Sequence, residues 1–197
     1  NNDKNFWVQY LIVVDADGVC SYLNSRVVRE IISKNNWSAM TANRRTKYYD
    51  IYALRHITWC PQDYNLSIKE DLKNGLSYQQ AYYKNVTSKM VHIKSSSDLI
   101  EVDSAFGGLA IYKKSSIPKN AQYIGLDKNN QEICEHVSFH NSIRKNKGKI
   151  FVNPKLIIGP NLIEFSILLI KNKLESFLKV MQLKISKLKN INLNHKS

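Results

Sequence analysis

The sequence predicts a mixed α/β domain followed by a basic helical extension. Two observations carry this. Short apolar runs rich in β-branched and aromatic residues alternate with segments whose apolar residues recur at helical spacing. From about residue 161 the texture changes to one lysine-rich amphipathic stretch. With 197 residues and 43% hydrophobic content, the chain can form one cored domain and an appendage rather than a disordered coil. No internal repeat is visible.

The elements follow in order. "FWVQYLIVV" (6–14) reads as a buried strand, because it is apolar, short and closed by polar residues. In 24–34, Val27, Val28, Ile31 and Ile32 have helical spacing, with Asn24 or Ser25 as cap. "WSAMTAN" (37–43) is a second strand, and the aromatic stretch 47–56 fits neither period. Residues 61–76 are polar and read as loop, and 77–90 as helix. "GLAIYKK" (108–114) is a strand that follows a double glycine. "CEHVSFHNSIRKNKG" (134–148) is a helix with a glycine stop, and "KIFVNP" (149–154) is a strand ended by Pro154. The first domain is set at 1–160 and the extension at 161–197.

In the extension, Leu174, Phe177, Leu178, Met181, Ile185 and Leu188 form one stripe flanked by Lys173, Lys179, Lys184, Lys187 and Lys189. Such a helix packs on a domain or meets a membrane surface or a partner. Nowhere are there the roughly eighteen consecutive apolar residues needed to cross a bilayer. No secretory leader is visible, and a cytoplasmic or peripheral membrane location is expected. Cys20, Cys60 and Cys134 are widely spaced and build neither a zinc site nor a disulfide framework. The formal charge of +13 favours an anionic partner, but it is spread along the chain. Without a zinc-finger, RNP or helix-turn-helix signature, no nucleic acid is expected.

The chemistry centres on "LIVVDADGVC" (11–20). An apolar run that ends in Asp15 and Asp17 places two carboxylates at the carboxyl edge of a sheet, where α/β folds bind ligands. Two close carboxylates repel, and a hard divalent cation relieves that repulsion. A calcium loop is ruled out: counting from Asp15, the sixth residue is Cys20 rather than glycine and the twelfth is Arg26 rather than glutamate. The run also fits the first motif of haloacid-dehalogenase-type phosphatases, with Asp15 as nucleophile and Asp17 as general acid. The Gly-Asp of the later acidic motif is missing, so this is the alternative enzyme. A noncatalytic basic binding module is the alternative outside catalysis.

"WSAMTANRRTKYYDIYALR", "VDSAFGGLAIYKK", "CEHVSFH" and "GKIFVNP" follow the DxD in that order. The series, over residues 7 to 158, resembles GT-A-fold nucleotide-sugar glycosyltransferases, akin to microbial and viral capsule-associated mannosyltransferases. The resemblance implies a GT-A-like mixed sheet flanked by helices. It implies metal-dependent transfer of a sugar, with Mn²⁺ or Mg²⁺, from a nucleotide-sugar donor to a glycan or other hydroxyl acceptor. Asp15, Asp17 and His140 would hold the metal. Asp15, Asp50, Arg55, Gly107, Gly108 and His136 would bind donor or acceptor. Asp103 would be the base of an inverting reaction, with Glu135 or Glu101 in its place as alternatives. Tyr48, Tyr49, Tyr52 and Trp59 offer flat faces to a sugar. Only fourteen residues precede Asp15, so the base- and ribose-binding half of the family's domain is expected to be missing from this stretch.

Overall fold

The computed structural model describes residues 8–16, 23–127 and 130–159, with helical residues 170, 173–175, 178 and 181. The strands are β1 (Tyr10–Val14), β2 (Ala39–Arg44), β3 (Ile100–Val102), β4 (Leu109–Lys113) and β5 (Ile150–Ile158). The helices are α1 (Ser25–Ile32), α2 (Tyr64–Lys73), α3 (Tyr78–Asn85) and α4 (Glu135–Lys145). The strands form one mixed sheet in the order β1-β4-β2-β5-β3. β2 and β5 are parallel, and the other pairs are antiparallel. The fold is therefore mixed α/β, as the alternation of periods predicts.

The core lies on both faces of the central strands. On one face Ala110, Tyr112, Ile150 and Val152 pack with Tyr48, Ile51 and Leu54 of the loop after β2, Ile68 of α2, Ala81 of α3, and Phe139 and Ile143 of α4. On the other, Leu109, Ile111, Met40 and Leu156 pack under Ile31 of α1. Each large aliphatic side chain so buried contributes about 1.5–3 kcal/mol. The cap of α1 is Asn24, whose side chain accepts from the Arg26 amide.

Three segments depart from the sequence reading. Residues 64–73 are helix, not loop: Asp63 caps α2, and Ile68 and Asp71 face inward. The buried face here is mostly polar, so hydrophobic periodicity does not show it. β5 runs through Pro154 to Ile158. Between Thr41 and Asn43, two steps on β2 are matched by five on β5, from Val152 to Ile157. This irregularity hosts Pro154, which has no amide to pair. The excess is odd, so the inward face reverses: Ile150 and Val152 join one core cluster, Leu156 and Ile158 the other.

The third departure is β1. It is a strand, but Leu11, Ile12 and Val14 are 42–49% exposed. It stands at the sheet edge with β4 as its neighbour, and of its residues only Val13 and Tyr10 pack against the core clusters. The chain divides into two compact units, Asn1–Gly159 and Pro160–Ser197. In the second, Leu174, Leu178 and Met181 are exposed helical residues; the rest of the expected stripe lies outside the described residues. No helix among the described residues is long and apolar enough to cross a membrane.

Candidate functional site

The site is assembled where β1 ends and β4 begins. Val14 pairs with Leu109, and beyond them the Asp15 amide donates to the Gly108 carbonyl at 3.0 Å. Gly107 and Gly108 have φ of +69° and +92°, the left-handed region that glycine enters without cost. A Cβ on Gly107 would stand 2.5 Å from the Ala42 carbonyl oxygen. Close approach of backbone to backbone is thus what the first glycine serves. Asp50 holds that turn, accepting from the Gly107 amide at 2.8 Å and from the Ala53 amide at 3.2 Å. Burial raises its pKa, while the two amides act against the rise. Asp50 therefore positions the turn; its carboxylate is engaged by backbone.

The amino-terminal end of α4 supplies the other side. The Tyr123 hydroxyl donates to Glu135 Oε1 at 3.1 Å and lies 3.2 Å from His136 Nε2. Tyr123 has one proton. Giving it to the carboxylate leaves its oxygen to accept from Nε2–H, which puts a lone pair on Nδ1. That Nδ1 is buried with no hydrogen-bond partner among the described residues. The His136 ring stacks on Phe106 at 3.8 Å. Burial lowers the His136 pKa to about 4, so the ring is neutral near pH 7. Burial, then Glu135, and to a lesser degree Asp15, raise the Tyr123 pKa. Asp15, Gly107, Gly108, Asp50, Glu135 and His136 thus converge, and sequence reasoning missed Tyr123. Its tie to α4 runs through space from a loop, where spacing carries no signal.

Four other candidates stand elsewhere or are already engaged. His140 is no metal ligand in this fold: it is fully buried, Nδ1 meets Ser104 Oγ at 2.9 Å and Nε2 meets the Tyr112 hydroxyl at 3.0 Å. Burial, with a smaller contribution from His136, lowers its pKa to about 3. Arg55 is not open to a phosphate. It donates to the Tyr52 and Leu54 carbonyls and pairs with Asp63, a contact that is almost wholly buried. Asp103 is ion-paired with Arg144, near the far end of α4. Glu135 and Arg144 are nine residues apart, roughly 13 Å of helix. Asp103 and the neighbouring Glu101, which approaches Lys149 at 3.7 Å, are therefore remote from Asp15. They line a separate polar cavity of about 430 Å³ with His56, Pro61 and Arg144. Of the aromatic faces, Tyr48 is buried and packs edge-on against Trp59, whose Nε1 donates to the Lys89 carbonyl. Tyr49 lies under the Arg44 guanidinium.

Asp17 lies outside the described residues. Among the described residues no group of three or more His, Cys, Asp or Glu is placed to hold a metal ion. With His140 committed to the core, the described residues do not complete a cation site. No family model matches the sequence, and no curated protein matches it.

Proposed function

We propose that residues 1–160 form part of a GT-A-type glycosyltransferase domain that uses a nucleotide-sugar donor and a hydroxyl acceptor. One observation carries the reading. The DxD strand, the double glycine and the Cys-Glu-His segment, which are far apart in the chain, meet at one end of the sheet. Two half-buried carboxylates, Asp15 and Glu135, stand by the glycine turn, the first through the Asp15 amide on the Gly108 carbonyl and the second beside His136, which stacks on Phe106.

In this arrangement Glu135 is the base. It takes the proton of the acceptor hydroxyl as that oxygen attacks the anomeric carbon and the bond from that carbon to the donor's phosphate oxygen breaks, the nucleoside diphosphate leaving with the electron pair. Tyr123 orients the carboxylate by its hydrogen bond. His136, neutral and stacked, fixes Tyr123 in turn. Asp15 stands at the donor side, next to the Gly107–Gly108 turn that Asp50 holds in place. The divalent cation of the reading would draw on Asp17 in addition to Asp15.

The test is binding and turnover of UDP- and GDP-sugars with and without Mn²⁺. Saturable binding lost in Asp15→Ala supports the reading. Phosphate release with covalent labelling of Asp15 and no sugar transfer would replace it with the phosphatase.

A further inference from the structure

The second compact unit, Pro160–Ser197, presents a row of apolar side chains to solvent. Ile170, Leu174, Leu178 and Met181 are helical and 43–66% exposed. At about 100° per residue, they share an arc of about 80° on one side of the helix. Exposed singly, such residues are ordinary. Aligned in one row, they mark a face on which something docks.

The charges say what docks there. Lys173 is exposed on the same helix. Read at the same spacing, the sequence sets Lys173 and Lys184 along one border of the row and Lys171 and Lys189 along the other. The two glutamates of this unit, Glu164 and Glu175, fall further round on the Lys171 side, and seven lysines outnumber them. A lysine stem lies along apolar surface while its ammonium reaches outward. The matching surface is apolar inside and anionic at its border, as an anionic lipid layer is. A second copy fits less well, because it would bring lysine borders together. A protein groove fits less well, because residues 160–197 hold no Trp, Tyr or Arg to serve as anchors. Nucleic acid would engage the lysines and leave the apolar row in water. No helix among the described residues is long and apolar enough to cross a bilayer, so the helix would lie in the interface.

We propose that Ile170, Leu174, Leu178 and Met181 dip into an anionic membrane surface, with the bordering lysines at the lipid phosphates. The inference is independent of the glycosyltransferase reading, since no donor, metal or site residue enters it. The experiment is co-sedimentation of the full chain with two kinds of vesicle, phosphatidylcholine alone and phosphatidylcholine with about one-third phosphatidylglycerol. Binding to the anionic vesicles should be at least tenfold tighter. Raising NaCl from about 0.1 M to about 1 M should weaken it at least fivefold, as the Debye length falls to about 3 Å. Leu174→Gln/Leu178→Gln should weaken it at least tenfold, by removing two side chains from the acyl region. Lys171→Gln/Lys173→Gln should weaken it about tenfold and leaves the apolar row intact, so it decides the matter where the leucine variant fails to fold. Glu175→Gln should not weaken it.

Absence of binding to the anionic vesicles overturns the proposal. So does binding that folded forms of both double variants retain in full, or equal binding to both kinds of vesicle. Sedimentation velocity without lipid tests the second copy. A chain that self-associates there, and that Leu174→Gln/Leu178→Gln returns to monomer, assigns the row to a contact between copies and overturns the proposal as well.

Discussion

The two ends of α4 carry similar residue types to opposite effect. At the amino-terminal end Glu135 and His136 meet Tyr123 and the close of β1. At the carboxyl-terminal end Arg144 closes on Asp103, and Lys149 approaches Glu101. Each end has carboxylates, and the carboxyl-terminal end opens on the cavity lined by Asp103 and Arg144. At the first end, by contrast, a neutral histidine has a ring nitrogen with no hydrogen-bond partner among the described residues, beside a glycine turn packed closely on the Ala42 backbone. Charges that are paired and half-exposed contribute little beyond local order. The lesson is that closeness to a glycine motif in sequence does not tell which acidic residues are tied up in ion pairs: Asp103 and Glu101 are, and only the contacts in space show it.

The sharpest way to break this comparison is Glu135→Gln. In the proposed transfer, where Glu135 is the base, this change should lower kcat by about 10²–10⁴-fold while thermal stability is retained. An unchanged rate would remove Glu135 from the chemistry. Next is Gly107→Ala, which forces a side chain into a left-handed backbone against the Ala42 carbonyl. A loss of about 2–4 kcal/mol in denaturant titration is expected. A neutral result would show that the turn at this end is not held as described.

Acid should separate the two histidines from the paired end. His136 and His140 have folded pKa values of about 4 and 3, below the usual 6.5. The unfolded chain therefore takes up their protons first. Their neutral forms support the fold fully above about pH 6.5, and that support falls as pH drops toward 4 and then 3. The slope is at most about 1.4 kcal/mol per pH unit per histidine. Asp50, with its raised pKa, acts in the opposite sense and offsets part of the loss. His140 is faced by Ser104, Tyr112, Phe139 and His136, so His140→Gln should flatten the lower part of the limb. An identical acid limb in that variant would refute the assignment. The smallest effect belongs to Asp103→Asn. Its half-exposed ion pair is worth less than about 1 kcal/mol, and transfer should stay within twofold. A large rate loss there would return the base to the far end.

Much of the scaffold was legible. β2 and β4 were visible as short runs of small, apolar and β-branched residues, α1 by its helical spacing after Asn24, and α4 by the stretch that ends at Gly148. Helix α2 was hidden because its inward face includes Asp71 and its length is mostly polar. Pro154 misled because a register irregularity absorbs a residue that a regular ladder rejects. β1 reads as buried because Leu, Ile and Val report hydrophobicity, not coverage; an edge position leaves them exposed.

The candidate site divides along the same line. By itself the sequence determined that Asp15 ends an apolar strand, that glycines open another, and that Glu135 and His136 stand at a helix start. Those are local properties, set by period and residue type within a few positions. That His140 is locked between Ser104 and Tyr112, that Arg55 belongs to Asp63, and that Tyr123 joins Glu135 and His136 were decided by tertiary structure alone. These depend on contacts between segments tens of residues apart. Burial and hydrogen-bond pairing in three dimensions settle which polar groups remain for chemistry.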